Sequence, residues 1–341
     1  GMTILAKDIN GDGWVDLVVF GRQIPKAYPT VPKSSILINN KGVFTNQVKN
    51  VAPELEFIGM VTDAVFSDYD EDGDDDLIVV GEWMPVTIFE NELNKFTNVT
   101  KHKLVSETVG WWSTIKEVSI NGKKQYLLGN IGKNNKYHPT NLKPLQIYMD
   151  DFDGNGTNDI VLAKYQGGIC YPVRGRQCSS QQIPSIKEKF KNYESFSVAT
   201  LDEVYDKNEL EKSLHYQVKS FASIYLENRD GKFIIHELPI EVQVSSINQI
   251  LIDDYDNDGN LDALVTGNLF ASEVETPRND GSYGTLLKGN GHGSFKSVPA
   301  SKSGVFIPGD VKDMAKIKTK DASYIIAVKN SDYIQSIKIN K

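Results

Sequence analysis

The stretch DYDEDGDDDLIVV, Asp68 to Val80, decides the fold. Asp68, Asp70, Asp72 and Asp76 place carboxylates at positions 1, 3, 5 and 9 of a loop, Gly73 stands at position 6, and an apolar run follows at once. A hard cation that takes six to eight oxygens at about 2.3–2.6 Å suits such a ladder, with the carbonyl of Asp74 at position 7 as a further donor. An EF-hand would need a bidentate Glu at position 12 and a helix on each side. Position 12 here is Val79, inside LIVV, so the chain leaves the loop as a buried β-strand.

The pattern recurs three times. DINGDGWVD supplies Asp8, Asn10, Asp12, Trp14 and Asp16; DFDGNGTND supplies Asp151, Asp153, Asn155, Thr157 and Asp159; DYDNDGNLD supplies Asp254, Asp256, Asp258, Asn260 and Asp262. Gly13, Gly156 and Gly259 hold position 6, and LVVF, IVLA or ALVT follows. One such stretch alone is equally a solvated turn, because Asp, Asn and Gly favour turns for reasons unrelated to metal. Four copies in one relation to a following strand make calcium the expected cofactor, at about four sites. Affinity follows ligand charge, so the loops at Asp68 and Asp254, with four carboxylates each, should bind more tightly than those at Asp8 and Asp151.

A second element recurs downstream of the loops: SSILINNKGVF, VTIFENELNKF, ASIYLENRDGKF and GTLLKGNGHGSF, ending at Phe44, Phe96, Phe233 and Phe295. Each reads as a strand, an Asn/Gly turn and a returning strand. ASIYLENRDGKF, the next such hairpin after the loop at Asp151, is expected to close the same unit. Two further units have lost their metal ligands. Gly110 to Asn130 offers only Glu117, Ser119 and Gln125 at positions 1, 3 and 9, and Gly309 to Ile339 fills its loop with lysines. Repeated units of about four strands predict an all-β fold, a β-propeller of four-stranded blades. Six units are counted, with five or seven blades left open, in a single domain over 1–341. A helical insertion is expected over 183–216, inside the fourth blade, where Thr200 with Glu203 and Asp206 with Glu209 read as N-cap signals.

The 341 residues carry a formal charge of −8, concentrated in the loops and offset by about four divalent ions. That balance argues against nucleic acid as a partner, which needs clustered positive charge. No apolar run approaches the ~18–20 residues of a membrane span, and Gly1 ahead of Met2 reads as an expression boundary rather than a natural start. Low-affinity oxygen sites fill where calcium is millimolar, which points to an extracellular, cell-surface or periplasmic setting. Cys170 and Cys178 flank YPVRGRQ and are candidates for a small disulfide loop or for two thiols.

The loops, their strands and the closing hairpins resemble the FG-GAP and VCBS repeat family, seen in integrin α-subunits and in large secreted bacterial proteins. The literal Phe-Gly and Gly-Ala-Pro signatures are absent. The segments GMVTDAVFSDYDEDG, VVGEWMPVTIF, GWW and ETPRNDGSYG are similar to bacterial FG-GAP-like chains related to cartilage acidic protein, which can carry an ASPIC/UnbV domain. The resemblance implies a calcium-stabilised propeller outside the cell and no particular reaction.

In a four-stranded blade the metal loop follows strand one and the variable intervals follow strand two, so the two gather at opposite ends. Arg22, Trp83, Arg174, Arg176, Arg278 and Asp280 are the candidate ligand-binding residues of that second end, with Tyr28, Lys133 and Asn134 beside them. They suit a protein or glycan partner. No HExxH, GxSxG or P-loop occurs and the histidines show no ligand spacing, so a non-catalytic binding module is expected. The alternative is a carbohydrate-active enzyme, polysaccharide lyase-like, on the same scaffold.

Overall fold

A computed structural model describes residues 3–272 and 276–339; Glu275, at the head of ETPRNDGSYG, lies outside the described residues, as do Gly1 and Met2. The chain forms two compact units, one of residues 1–22, 31–135 and 221–341, the other of residues 23–30 and 136–220.

The larger unit contains five antiparallel sheets among its described residues. The first holds Ile4–Lys7, Asp16–Val19, Ser35–Asn40 and Val43–Asn46; the second Met60–Ser67, Asp76–Met84, Thr87–Glu92 and Lys95–Asn98, with Gly110–Trp111 added beside its second strand. The fourth holds Ile247–Asp253, Asp262–Gly267, Thr285–Gly289 and Phe295–Val298, and the fifth Val311–Lys318, Ser323–Lys329 and Gln335–Ile339.

The third sheet departs from the sequence reading. Thr114–Ile120 and Lys123–Gly129 are completed by Ile224–Arg229 and Lys232–Glu237, with Leu127 opposite Tyr225. The hairpin ASIYLENRDGKF thus belongs to the unit whose metal ligands are lost, not to the Asp151 loop. Sequence adjacency misled because a ladder constrains only side chains and register, and residues 136–220 intervene as their own unit.

The runs LIVV and ALVT are buried on both faces, while LVVF and IVLA alternate buried with half-buried side chains. Leu77 and Val79 join Val18, Phe20 and Ile36 in one cluster, while Ile78 and Val80 join Trp112, Ile115, Tyr126 and Leu226 in the next. Leu127 and Val118 continue to Ile250, Val265 and Leu287, and Leu264 passes to Val311, Met314 and Ile325. Consecutive sheets therefore pack face to face, which explains why LIVV shows no polar alternation. Each such fully buried side chain contributes about 1.5–3 kcal/mol.

The first strands of consecutive sheets are also tied by hydrogen bonds. Thr3 Oγ1 donates to Thr62 O at 2.6 Å, Thr62 Oγ1 to Trp112 O at 2.9 Å, Ser113 Oγ to Ile247 O, and Asn248 Nδ2 to Val311 O at 2.8 Å. Glycine is required where the second strand ends: a Cβ on Gly129 would overlap Ile247 O of the next sheet, and one on Gly267 would overlap Ser246 O beside the first strand of its own sheet. Gly267→Ala is expected to destabilise the larger unit by about 1–3 kcal/mol, the usual cost of overpacking, read as a lower urea midpoint at constant m-value. An unchanged midpoint would remove the close-approach argument.

The smaller unit orders its strands Ile169–Pro172, Asp159–Gln166, Leu145–Asp150, Leu214–Val218. Helices Arg176–Gln182, Ser185–Lys189, Tyr193–Ser197, Leu201–Val204 and Lys207–Lys212 lie between the third and last strands in sequence. They bury Ile183, Ile186, Phe196, Leu201 and Leu210 with Val161 and Ala163. The caps read from the sequence form: Glu203 accepts the Thr200 N–H at 2.8 Å, and Asp206 accepts those of Asn208 and Glu209. The stretch LHYQ leaves the last helix and becomes strand.

Candidate metal centres

All four loops share one set of local bonds. The position 1 carboxylate accepts the N–H groups of positions 5 and 6: Asp12 and Gly13 onto Asp8, Asp72 and Gly73 onto Asp68, Asn155 and Gly156 onto Asp151, Asp258 and Gly259 onto Asp254. The position 5 oxygen accepts from position 7, with Trp14, Asp74, Thr157 and Asn260 donating at 2.8–2.9 Å. The reversal uses positive φ at the position 6 glycine, from 85° at Gly156 to 99° at Gly73, a region closed to most side chains.

Position 9 has a role the sequence reading missed. Asp16, Asp76 and Asp262 are 0% exposed and Asp159 is 3% exposed. Each accepts the N–H of its own loop's second residue, as in Ile9 to Asp16 at 2.9 Å and Tyr255 to Asp262 at 3.0 Å. In the larger unit the other oxygen accepts an N–H from the third strand, from Asn39, Asn91 or Gly289. In the smaller unit Gln182 Nε2 donates to Asp159 Oδ1 at 3.3 Å. The carboxylate therefore joins loop to sheet through its own hydrogen bonds. In the third sheet Gln125 takes this place, accepting the Asn228 N–H at 2.6 Å and donating to Asn228 O at 3.2 Å.

In three loops one carboxylate oxygen from each of positions 1, 3 and 9 lies within 4.8 Å of the other two: Asp68, Asp70 and Asp76; Asp151, Asp153 and Asp159; Asp254, Asp256 and Asp262. Asn10 occupies position 3 of the first loop, so only two acids stand at those positions there. Like charges at about 4 Å repel by roughly 4 kcal/mol at an effective dielectric of 20. Burial adds to that cost: desolvation pushes Asp76 up to about 7 and raises Asp159 and Asp262. Asp70 is raised by burial and by the nearby Asp72 and Glu90, and its Oδ1 is buried with no hydrogen-bond partner among the described residues. Such an orphaned oxygen fits a cation ligand, and an all-oxygen donor set fits calcium.

The loop at Asp254 differs. Lys288, on the third strand of its own sheet, pairs with Asp256 and lies 2.8 Å from Asp258. Both carboxylates raise the Lys288 pKa. A tethered ammonium thus competes for ligands 3 and 5. Calorimetric titration is expected to show the Asp68 loop binding calcium more tightly than the Asp254 loop despite equal acid counts. Lys288→Met should tighten the latter roughly tenfold, a change of about 1.4 kcal/mol. Unaltered affinity in that variant would mean the lysine yields without cost.

The residues expected at the opposite end serve mostly local contacts. Arg22 donates from Nε to Glu82 at 2.9 Å, and Glu82 is 3% exposed. Trp83 is buried against Trp111, ring centroids 5.2 Å apart. Arg176 holds the carbonyls of Phe190, Lys187 and Lys191, and Arg174 donates to Gln182 at 2.7 Å. Lys133 pairs with Glu237, and Asn134 Nδ2 donates to Val244 O at 3.2 Å. Arg278 lies over Phe270 at 4.7 Å and 4.0 Å from Asp280, both exposed. Cys170 and Cys178 are not joined in a disulfide. The Cys170 thiol takes a hydrogen bond from Gln146 at 3.3 Å, while Cys178 sits in the helix Arg176–Gln182.

Among the described residues no helix is long and apolar enough to cross a membrane. No curated protein matches the chain significantly. Residues 8–79, from the first ligand of the first loop to the strand leaving the second, match the family model of the FG-GAP-like repeat.

Proposed function

We propose that the chain is a non-catalytic, calcium-binding β-propeller module of an extracellular or cell-surface protein, which binds a protein or glycan at the end of its sheets away from the metal loops. The observation that carries this reading is the recurrence of acidic clusters at positions 1, 3 and 9 on loops between first and second strands. The five sheets of the larger unit are read as five blades, four of them pinned at the loop end by a position 9 side chain, Asp16, Asp76 or Asp262, or by its counterpart Gln125. Residues 136–220 are an inserted unit with a metal loop of their own. In an antiparallel meander the first and third turns share one end, so the long connections after second strands emerge at the other, where binding loops concentrate on a rigid scaffold.

Metal content measured after dialysis against millimolar calcium should give three to four ions per chain, the fourth depending on the Asn10 loop. Fewer than one would overturn the reading. Calcium-dependent depolymerisation of a glycan would replace it with the enzymatic alternative.

A further inference from the structure

We infer that the smaller unit carries a binding cleft for a uronate-bearing oligosaccharide, formed by Lys136, Tyr137, His138, Lys143, Lys164 and Tyr165. The inference rests on the reading above and specifies its ligand. The cleft has a volume of about 190 Å³ and includes no Asp or Glu in its lining. That is notable in a chain of net charge −8. Lys143 and Lys164 make no ion pair among the described residues. The ammonium of Lys136 lies over the Tyr137 ring, 5.2 Å from its centroid.

Topology places this cleft. The strand Leu145–Asp150 runs into the metal loop and Asp159–Gln166 runs out of it, with Gln146 opposite Ala163 and Asp150 opposite Asp159. Lys143, Pro144 and Leu145 therefore meet Lys164 and Tyr165 at the end of the sheet away from the loop. The lysines stand on the rigid end of a ladder and on the segment leading into it.

The chemistry selects an acidic sugar. Tyrosine rings offer flat apolar faces to the C–H side of a pyranose and a phenol oxygen to its hydroxyls. Lysine supplies a compact point charge with three donors, suited to a single carboxylate without the bidentate demand of arginine. A drug-sized ligand needs roughly 300–1,000 Å³, so a smaller cleft holds one charged ring of a chain whose neighbours extend into solvent. Three lysines without an arginine or a wider basic face do not make a nucleic-acid site.

The test uses the full calcium-loaded chain and tetrasaccharides of galacturonate, mannuronate and hyaluronan, with carboxyl-reduced neutral forms as controls. At least one acidic tetrasaccharide should bind, its neutral form should bind tenfold or more weakly, and Lys143→Ala/Lys164→Ala should weaken the acidic form at least tenfold. Both lysines lie outside the apolar core, and an unchanged melting temperature confirms that the double variant is folded. No binding by any acidic tetrasaccharide, equal binding of acidic and neutral forms, full binding by the double variant, or tighter binding of oligoglutamate would each overturn the cleft. Calcium content on the same preparation reports on the module separately, so a metal-loaded chain that ignores uronates loses the cleft alone.

Discussion

Removing calcium from the loaded chain is expected to lower its melting temperature by about 10–20 °C. An ion present at 100 times its dissociation constant stabilises the state that binds it by about 2.7 kcal/mol. The larger unit has two of the three acidic clusters and the smaller unit has one. Two ions supply roughly 5 kcal/mol to a unit of over 200 residues, where each kcal/mol moves the midpoint by about 2–4 °C. One ion supplies roughly 2.7 kcal/mol to a unit small enough to shift by about 4–8 °C per kcal/mol. Both units should therefore drop by a similar amount, and calcium should restore them where equal magnesium, which keeps its waters, does not. Calorimetry of metal-verified protein with and without chelator decides the matter. Coincident scans would mean that the acidic clusters are stable without a cation.

Substitution of the buried position 9 aspartate should separate its two duties. Asp76 accepts the Tyr69 N–H at 3.3 Å and the Asn91 N–H at 2.9 Å at zero exposure. Asp76→Ala leaves both donors unsatisfied, at about 1–3 kcal/mol each. In chelator it should therefore cost roughly 2–6 kcal/mol, and in calcium it should lose the ion's contribution of about 2.7 kcal/mol as well. Asp76→Asn keeps one acceptor and removes a charge that burial already disfavours, its pKa standing at about 7. In chelator it should cost about 1 kcal/mol; in calcium it should additionally lose the ion's contribution of about 2.7 kcal/mol. The third sheet supplies the precedent, since Gln125 holds the equivalent hairpin through an amide. Equal losses for both variants in chelator would show that the carboxylate has no scaffold role beyond its charge.

What could be read from the sequence was local. The position 6 glycines, the apolar strands after the loops and the Asn/Gly hairpins are decided within about a dozen residues, and each forms where its pattern stands. The partner of Lys123–Gly129 is a strand that begins at Ile224, and nothing in either sequence names the other, because many apolar strands satisfy the same ladder. Lys288 escaped notice for a similar reason: it lies far along the chain from Asp256 and meets it only through the pairing of Leu287 with Ala263. Arg22 and Trp83 looked like ligand-facing groups because side-chain type does not reveal that Glu82 or Trp111 is waiting for them. Gly129 and Gly267 carried a legible signal, glycine at the end of each second strand, but its meaning required the neighbouring backbone.

The Gly132 N–H donates to Phe221 O at 2.8 Å, so the chain returns to within one hydrogen bond of where it departed. Everything between these two residues is, for the third sheet, a single long hairpin loop whose stem is already closed. Residues 136–220 of that loop take no part in the apolar cluster around Leu127 and Tyr225, so a lineage can lengthen or exchange them without repacking it. The same seam is where a designer would graft a foreign recognition domain onto this scaffold.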